Sequence, residues 1–445
     1  MKKITASLPA LLLFLSLGSL GLSQEKLTLT LEKSISLALS QNPYYLASRE
    51  GVDAAQARVR YAAAQFFPSL DASGLQNLDK KVFVLDFPSL IPGGRPQRIP
   101  FDFTKTYQFS LNFTLPLFTG GRLTSSYRQA KYNLQSSEEG VRLTSQETVF
   151  NVKRGFYTYL LAKELVKVSE EALSLADKLL QNVKNMYEVG MASRLDLLRA
   201  EVRVSNLKPP VIQARNGVSI AELSLKTVLG LDPAQPVEIV GELAYQPVEM
   251  DLQESWNKAL ANRPELSQID YQKKMAGERE KIARAGSLPT VAVAGNYNYW
   301  SNLLHFKRNN WESYYSFNLV LSIPIFSGLS TPAQVAEAKA QLRQVEFAEK
   351  GLVNQVKFEV ESAILIMNQA KESLLSQEKN VEEATESVRV AELSYTEGLA
   401  TITDVGAAQV ALSEARINYL RALYEYETAQ AQLEKAMGET WKASE

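Results

Sequence analysis

Residues 107–118 read YQFSLNFTLPLF, and residues 315–326 read YSFNLVLSIPIF. In the first stretch Tyr107, Phe109, Leu111, Phe113, Leu115 and Leu117 alternate with Gln108, Ser110, Asn112 and Thr114. In the second, Tyr315, Phe317, Leu319, Leu321, Ile323 and Ile325 alternate with Ser316, Asn318 and Ser322. A period of two sends successive side chains to opposite faces, so each stretch predicts a strand with one apolar and one polar face. Alternation alone suits a half-buried strand of a soluble sandwich as well as a membrane strand. Length and flanks favour the membrane, because a tilted spanning strand needs about ten residues. Aromatics at the loop-facing ends, namely Tyr297, Tyr299, Trp300, Trp311, Tyr314 and Tyr315, have the distribution of an interfacial girdle. On this reading Phe109, Leu111, Phe113, Leu115, Phe317, Leu319, Leu321 and Ile323 face lipid.

The resemblance of these stretches extends along the chain. An offset of 208 residues, Tyr107 to Tyr315, also carries Pro116, Phe118, Gly120, Tyr187, Gly190, Asp196 and Gly230 onto Pro324, Phe326, Gly328, Tyr395, Gly398, Asp404 and Gly438. Upstream the offset is 221, matching Leu31, Ser34, Ala38, Leu39, Pro43 and Pro68 with Leu252, Ser255, Ala259, Leu260, Pro264 and Pro289. The extra 13 residues of the first copy fall within Asp79–Phe101, where Pro88, Pro92, Gly93, Gly94, Pro96 and Pro100 predict a long loop. Matching Pro and Gly at fixed offsets indicates an internal duplication.

Each copy has one order of periodicities. A helical segment (about 47–65 and 265–285) precedes a Pro-led strand (about 68–78 and 289–300) and then the alternating strand (about 103–118 and 312–326). A very long helix follows, over 122–189 and 332–397, or roughly 100 Å at 1.5 Å per residue. Its last third carries a 3-4-3-4 seam, Leu173, Ala176, Leu180, Val183 and Tyr187, repeated as Val381, Ala384, Val388, Ala391 and Tyr395. A second stripe, Leu165, Val168, Ala172, Leu175, Leu179 and Met186, predicts neighbours on two sides. A thick soluble bundle would also carry such stripes, but not the strands. Gly190 and Gly398 suit a left-handed helix end. Ser193 with Asp196, and Thr401 with Asp404, then resemble capping boxes opening return helices. The second return helix is expected over 401–436, whereas Pro209 and Pro210 should break or kink the first. Between the copies, residues 231–250 carry Pro233, Pro236 and Pro247 around the apolar run Val237–Val240, predicting one short strand.

Lys2 and Lys3, the apolar run Leu8–Leu22 and small residues at Gly21 and Ser23 form a secretory signal pattern over 1–23, with a retained anchor as the alternative. The organisation is thus signal peptide 1–23, repeat 24–230, inter-repeat segment 231–250 and repeat 251–445. No later run is apolar enough to span as a helix, so insertion requires a β-barrel. Four strands per chain cannot close one, so the barrel must be shared between chains. A net charge of −1 provides no basic field for nucleic acid. Cysteine is absent and His305, in a polar loop-like stretch, is the single histidine. Thiolate zinc sites, disulfides and Ser-His-Asp chemistry therefore have no material, and neither a metal cluster nor a phosphate-cradling loop is visible. No catalytic residue, cofactor or metal is expected, and the many carboxylates read as solvated helix faces.

The Pro-bounded strands, the paired long hairpins and the repeated Tyr-x-x-Gly-x-x-x-x-x-Asp tips together resemble the TolC-like outer-membrane efflux proteins, over essentially the whole mature length. The resemblance implies a mostly α protein with a small β-barrel part. Its homotrimer would give four strands per chain to an outer-membrane barrel, continued across the periplasm as a coiled-coil α-barrel tunnel. It implies a duct of a tripartite efflux pump or type I secretion system, with a periplasmic adaptor protein and an inner-membrane transporter as partners and outer-membrane lipid around the barrel. Val189, Gly190, Met191, Gly398, Leu399 and Thr401 match the adaptor-contacting tips. Asp404 matches an acidic ring at the closed entrance, and Asp196 with Tyr395 a gate pair. The pattern departs at Ala400 and Ala407, where the family has Arg and Asp, and Arg194 is the candidate replacement for that Arg. A dedicated protein-secretion duct, or a periplasmic coiled-coil scaffold with a soluble β domain, are the competing readings.

Overall fold

The computed structural model describes residues 26–79, 81–89, 91–92, 94–102, 105–302 and 311–441. The signal segment 1–23 and His305 lie outside the described residues. After strand β1 (Leu27–Leu29), helix α1 (Leu31–Gln41) starts where the Thr30 hydroxyl accepts from the Lys33 amide at 3.3 Å. It stops at Asn42, whose extended backbone and following proline forbid another turn. Asn42 then caps α2 (Pro43–Ala64), its Oδ1 accepting from the amides of Tyr44 and Tyr45.

Four strands form one antiparallel sheet in the order β2 (Ser69–Gln76), β5 (Tyr107–Phe118), β7 (Thr290–Ser301) and β8 (Glu312–Ser322). The predicted loop over 79–101 is largely a hairpin of β3 (Val82–Phe87) and β4 (Gln97–Asp102). Turn residues dominate the composition of that segment, although Val82–Phe87 carries the β-branched and aromatic residues that favour a strand. The alternating stretches also end differently. Pro116 stays in β5, paired with Ala292 beside an irregularity in register, whereas Pro324 lies beyond the end of β8.

Helix α3 (Arg122–Glu188) and helix α4 (Arg194–Leu229) form one hairpin. Strand β6 (Val237–Ile239) pairs in parallel with β1, as the short-strand expectation for this segment allowed. Then come α5 (Leu252–Asn262) and α6 (Pro264–Ala285), the strands β7 and β8, and a second hairpin of α7 (Ser330–Thr396) and α8 (Ile402–Ala436). Pro209 and Pro210 do not break α4, which runs unbroken through them. Val204 and Val211 are buried on either side, and packing on the scale of buried side chains offsets the lost hydrogen bonds.

The helices lie side by side. Toward the sheet α3 packs between α2 and α6, with α7 beyond α6; toward the hairpin turns α3 packs between α4 and α8, with α7 beyond α8. The two-striped α3 therefore has the two neighbours its pattern predicts. The largest cores sit halfway along the long helices. One joins Leu29, Ile35, Val152, Phe156, Leu160, Leu225, Leu229 and Ile239; the other joins Val356, Val360, Met367, Leu374, Tyr426 and Leu433. Gly230 and Gly438 end α4 and α8 at φ +77° and +73° and rest on the elbows before α2 and α6. A Cβ at Gly230 would stand 2.6 Å from the Gln41 carbonyl oxygen, and one at Gly438 would stand 2.9 Å from the Arg263 amide nitrogen. Glycine is required there for conformation and for space.

Candidate functional site

Two surfaces concentrate the predicted functional residues. In the sheet, cross-strand register lines up Leu70, Phe113, Gly295 and Phe317 in one row across the middle. A Cβ at Gly295 would lie 2.7 Å from the Phe317 ring, so glycine makes room for it. Parallel rows join Leu111, Tyr297 and Tyr315, and Leu115, Val293 and Leu319. Phe109, Leu111, Phe317, Leu319, Leu321 and Ile323 are exposed, Phe317 at 72 % and Leu319 at 70 %. Phe113 and Leu115 are half-buried, and Ile323 follows the last residue of β8. One face of the sheet is thus apolar and open.

The other face is a ladder of amides and hydroxyls. Ser110 Oγ donates to Asn298 Oδ1 at 2.7 Å, and Gln108 Nε2 donates to the same oxygen at 3.2 Å. Asn298 Nδ2 donates to Asn296 Oδ1, which also accepts from Ser316 Oγ; Asn318 Nδ2 donates to Ser316 Oγ. The aromatic girdle divides between these faces. Trp311 stacks on Tyr299 at 4.6 Å between ring centres and meets Phe109 at 5.6 Å, all on the apolar face. Trp300 and Tyr314 are paired with Gln108 and Asn298, which assigns them to the polar face. There Lys105 Nζ sits 5.1 Å from the Trp300 ring and 5.5 Å from the Tyr314 ring. The division follows the alternation along β7 and β8, which sends Trp300 and Tyr314 to the face opposite their neighbours Tyr299 and Tyr315.

At the opposite end are the hairpin turns. Gly190 and Gly398 take φ +77° and +74°, and the amides of Met191 and Leu399 donate back to the carbonyls of Met186 and Ser394 at 2.7 and 2.8 Å. Those bonds satisfy carbonyls orphaned at the ends of α3 and α7. Val189, Met191 and Leu399 project into solvent, more than 70 % exposed. Both capping boxes are complete: Ser193 Oγ accepts from the Asp196 amide at 3.1 Å and Thr401 Oγ1 from the Asp404 amide at 3.3 Å, while each Asp carboxylate accepts from the cap residue's own amide. The hydrogen bond donated by the Thr401 hydroxyl, followed by that of its amide, holds the exposed Asp404 carboxyl below its ordinary value.

The two turns touch within one chain. Leu179, Val183, Leu197, Ala200, Ile402 and Val405 form a small core against which Tyr395 packs. Burial first, and the Asp196 charge second, push the Tyr395 hydroxyl above its ordinary range, so the structure brings the predicted pair together. Arg194 is exposed and makes no ion pair among the described residues; the cation near Asp196 is Arg199, at 3.8 Å. Arg199 and Arg203 line a groove of about 450 Å³ with Leu179, Ala200, Ile402 and Gly406. Burial lowers the Arg203 pKa, and its Nε is buried without a partner. Sequence reasoning missed both arginines, although their i,i+3 and i,i+7 spacing from Asp196 signals a shared helix face.

Among the described residues no group of three or more His, Cys, Asp or Glu side chains can hold a metal, and no helix is long and apolar enough to cross a membrane. The chain is similar to the probable efflux pump outer membrane protein TtgC of Pseudomonas putida, 26 % identical over 427 residues that cover 92 % of this chain and 83 % of that protein. It is similar to the alkaline protease secretion protein AprF of Pseudomonas aeruginosa at 25 % identity, over 74 % of this chain and 69 % of that one. The fold matches a crystal structure of CusC with a TM-score of 0.76 at 19 % identity, covering 92 % of each chain. The outer membrane efflux protein model matches residues 34–231 and 256–439, so this chain belongs to the outer membrane efflux protein family and is an outer-membrane protein.

Proposed function

We propose that the chain is the outer-membrane exit duct of a tripartite pump, a passive conduit whose selectivity comes from shape and charge. The observation that carries this reading is a four-stranded sheet with an apolar face, a hydrogen-bonded polar face and two edges, β2 and β8, that have no strand partner among the described residues, joined to helices of 67 residues. Open edges are not tolerated in lipid, so three copies closing a barrel of twelve strands give each edge a partner and the polar ladder a water-filled lumen. The helices support the same closure. Ile212 and Ile220 on α4, at one end of the row, and Phe347, Phe358 and Leu365 on α7, at the other, are exposed apolar side chains that neighbouring copies would cover.

The halves hold helices of 11, 22, 67 and 36 residues and of 11, 22, 67 and 35 residues, which supports an internal duplication. Residues 1–23 are read as the export signal, 24–230 and 251–445 as the repeats, and 231–250 as the connecting segment. The tips with Val189, Gly190, Met191, Gly398, Leu399 and Thr401 are the adaptor-docking surface, and Asp196, Tyr395 and Asp404 ring the entrance, with Arg199 rather than Arg194 as the nearby cation. An inner-membrane transporter delivers the cargo. The relatedness to AprF favours protein secretion as the second reading. Light scattering in detergent, then conductance in planar bilayers, tests the duct; a water-soluble monomer without conductance would overturn it. The transporter class that co-purifies with the tips separates efflux from secretion.

A further inference from the structure

The connection between β2 and β5 carries the hairpin of β3 and β4, whereas β7 and β8 are joined by residues 302–311 alone. Strand β3 leaves the end of β2, and the base is tied by Asn77, whose amide donates to the Thr106 carbonyl at 2.8 Å and whose Nδ2 donates to the Lys105 carbonyl at 2.6 Å. The hairpin therefore stands on the sheet at its open β2 edge. Register puts Leu85 opposite Ile99 and Val84 opposite Pro100, so apolar side chains occupy both faces. Phe83, Val84 and Leu85 are exposed, Phe83 at 60 %. An isolated two-stranded hairpin is marginal in water, and such an apolar run on an unprotected edge is an association site.

Lipid is a poor cover. Asp86 and Arg98 form an exposed ion pair at 2.9 Å beside Val84 and Pro100, and charged groups on a strand resist hydrocarbon. A second copy of this chain fits better, on two grounds. The hairpin rises from β2, the edge that a neighbouring copy's β8 must pair in a closed barrel, so its apolar surface is continuous with that junction. Its reach also suffices. Twelve strands spaced about 4.8 Å and tilted about 40° enclose a circle of roughly 12 Å radius. Six residues at about 3.3 Å each give strands of roughly 20 Å, long enough to meet on the axis.

We propose that in the assembled duct three such hairpins lean over the extracellular mouth and cover one another's Phe83, Leu85 and Ile99 surfaces, forming a self-docked lid that must part for cargo. The inference rests on the three-copy barrel. The shorter connection of the second half alternates with the lid hairpins around the mouth, which leaves three long elements to meet at a threefold axis.

The chain contains no cysteine, so Leu85→Cys introduces a unique thiol. Trimer formation of this variant is first measured by light scattering in detergent. Intact cells are then treated with a short bismaleimide or, separately, with a membrane-impermeant monofunctional maleimide. The expected result is cross-linked dimers of this chain, with export blocked. In a second variant, Phe83→Asp with Leu85→Asp, single-channel conductance should rise without loss of the trimer. Two results together would overturn the lid: an introduced thiol that takes up the monofunctional reagent freely and forms no dimer in assembled trimers, and conductance unchanged by the Asp substitutions. Cross-linking of that thiol to a different protein would overturn it as well. A wild-type chain that forms no trimer would instead remove the barrel reading, and the lid with it.

Discussion

Phe317→Arg separates a membrane sheet from a soluble one. Phe317 lies midway along β8, in the row with Leu70, Phe113 and Gly295, and is 72 % exposed in the single chain. On a soluble surface such a change falls within about 0.5 kcal/mol. Facing the bilayer midplane, an arginine costs roughly 2–4 kcal/mol, or about 30- to 900-fold in the folding equilibrium. Leu321 points the same way but is one residue from the end of β8, so Leu321→Arg should cost only about 0–1 kcal/mol, the value near an interface. Asn318→Arg, on the polar face, should leave stability within about 0.5 kcal/mol while altering conduction. Urea unfolding in phospholipid vesicles, followed by tryptophan fluorescence, measures all three. If Phe317→Arg folded like the wild type while Asn318→Arg failed to insert, the assignment of faces would be reversed. Equal small effects at all three positions would refute the membrane sheet itself.

Tyr426 is fully buried, with its hydroxyl donating to the Gln246 carbonyl at 2.7 Å and accepting from the Val248 amide at 3.2 Å; Tyr426→Phe should cost about 1–3 kcal/mol in thermal unfolding, by leaving both backbone groups unpaired. Burial raises the Glu427 carboxyl despite the hydrogen bond from Tyr157 and the charge of Lys153, and Glu434 adds to the rise. A carboxyl raised in the folded state binds its proton more tightly there, so stability should fall as pH climbs above the ordinary carboxylate range. Glu427→Gln should flatten that dependence and stabilise the protein at pH 7, and an unchanged pH profile would count against the burial argument. Asp404→Asn should reduce cation preference, read as reversal potential in a salt gradient, with the trimer intact; an unchanged potential would leave Asp404 as a helix cap alone.

Elements with a strong period or a sharp terminator are legible in the amino-acid sequence itself. The alternating strands, the long helices ending at Gly190 and Gly398, and the capping boxes lie within a few residues of expectation. Differences arise where two local signals compete. At Pro209 and Pro210 local chemistry argues for a break, but buried Val204 and Val211 keep α4 continuous. Between Asp79 and Phe101 the density of Pro and Gly masks the strand character of Val82–Phe87. Contacts across the chain are not legible at all. That Lys105 settles beside the Trp300 and Tyr314 rings depends on register between distant strands, whereas the approach of Arg199 to Asp196 is an i,i+3 contact within α4 that the spacing itself signals.

The distribution of cohesion along the helices bears on how such a duct would open. The middle of the molecule is held by two large apolar cores, by glycine contacts that admit no Cβ, and by the parallel pair of β1 and β6. Toward the turns the cores shrink to clusters in which alanine is frequent, such as Ala384, Val388, Ala408, Leu412 and Ala415, and buried apolar area sets most of the packing energy. What joins the two hairpins below the middle is the small core of Leu179, Val183, Leu197, Ala200, Ile402 and Val405, together with the Arg416–Glu171 ion pair, which links α8 to α3 at partly exposed positions where such pairs contribute little. Separation of the hairpins at their turns thus costs less than separation at mid-height, and local opening follows the low-stability end of a structure. The residues proposed to ring the entrance, Asp196, Tyr395 and Asp404, sit at that end. A charge change there would act on the part of the fold least able to resist it, and the capping boxes would keep each turn intact if the hairpins moved relative to each other.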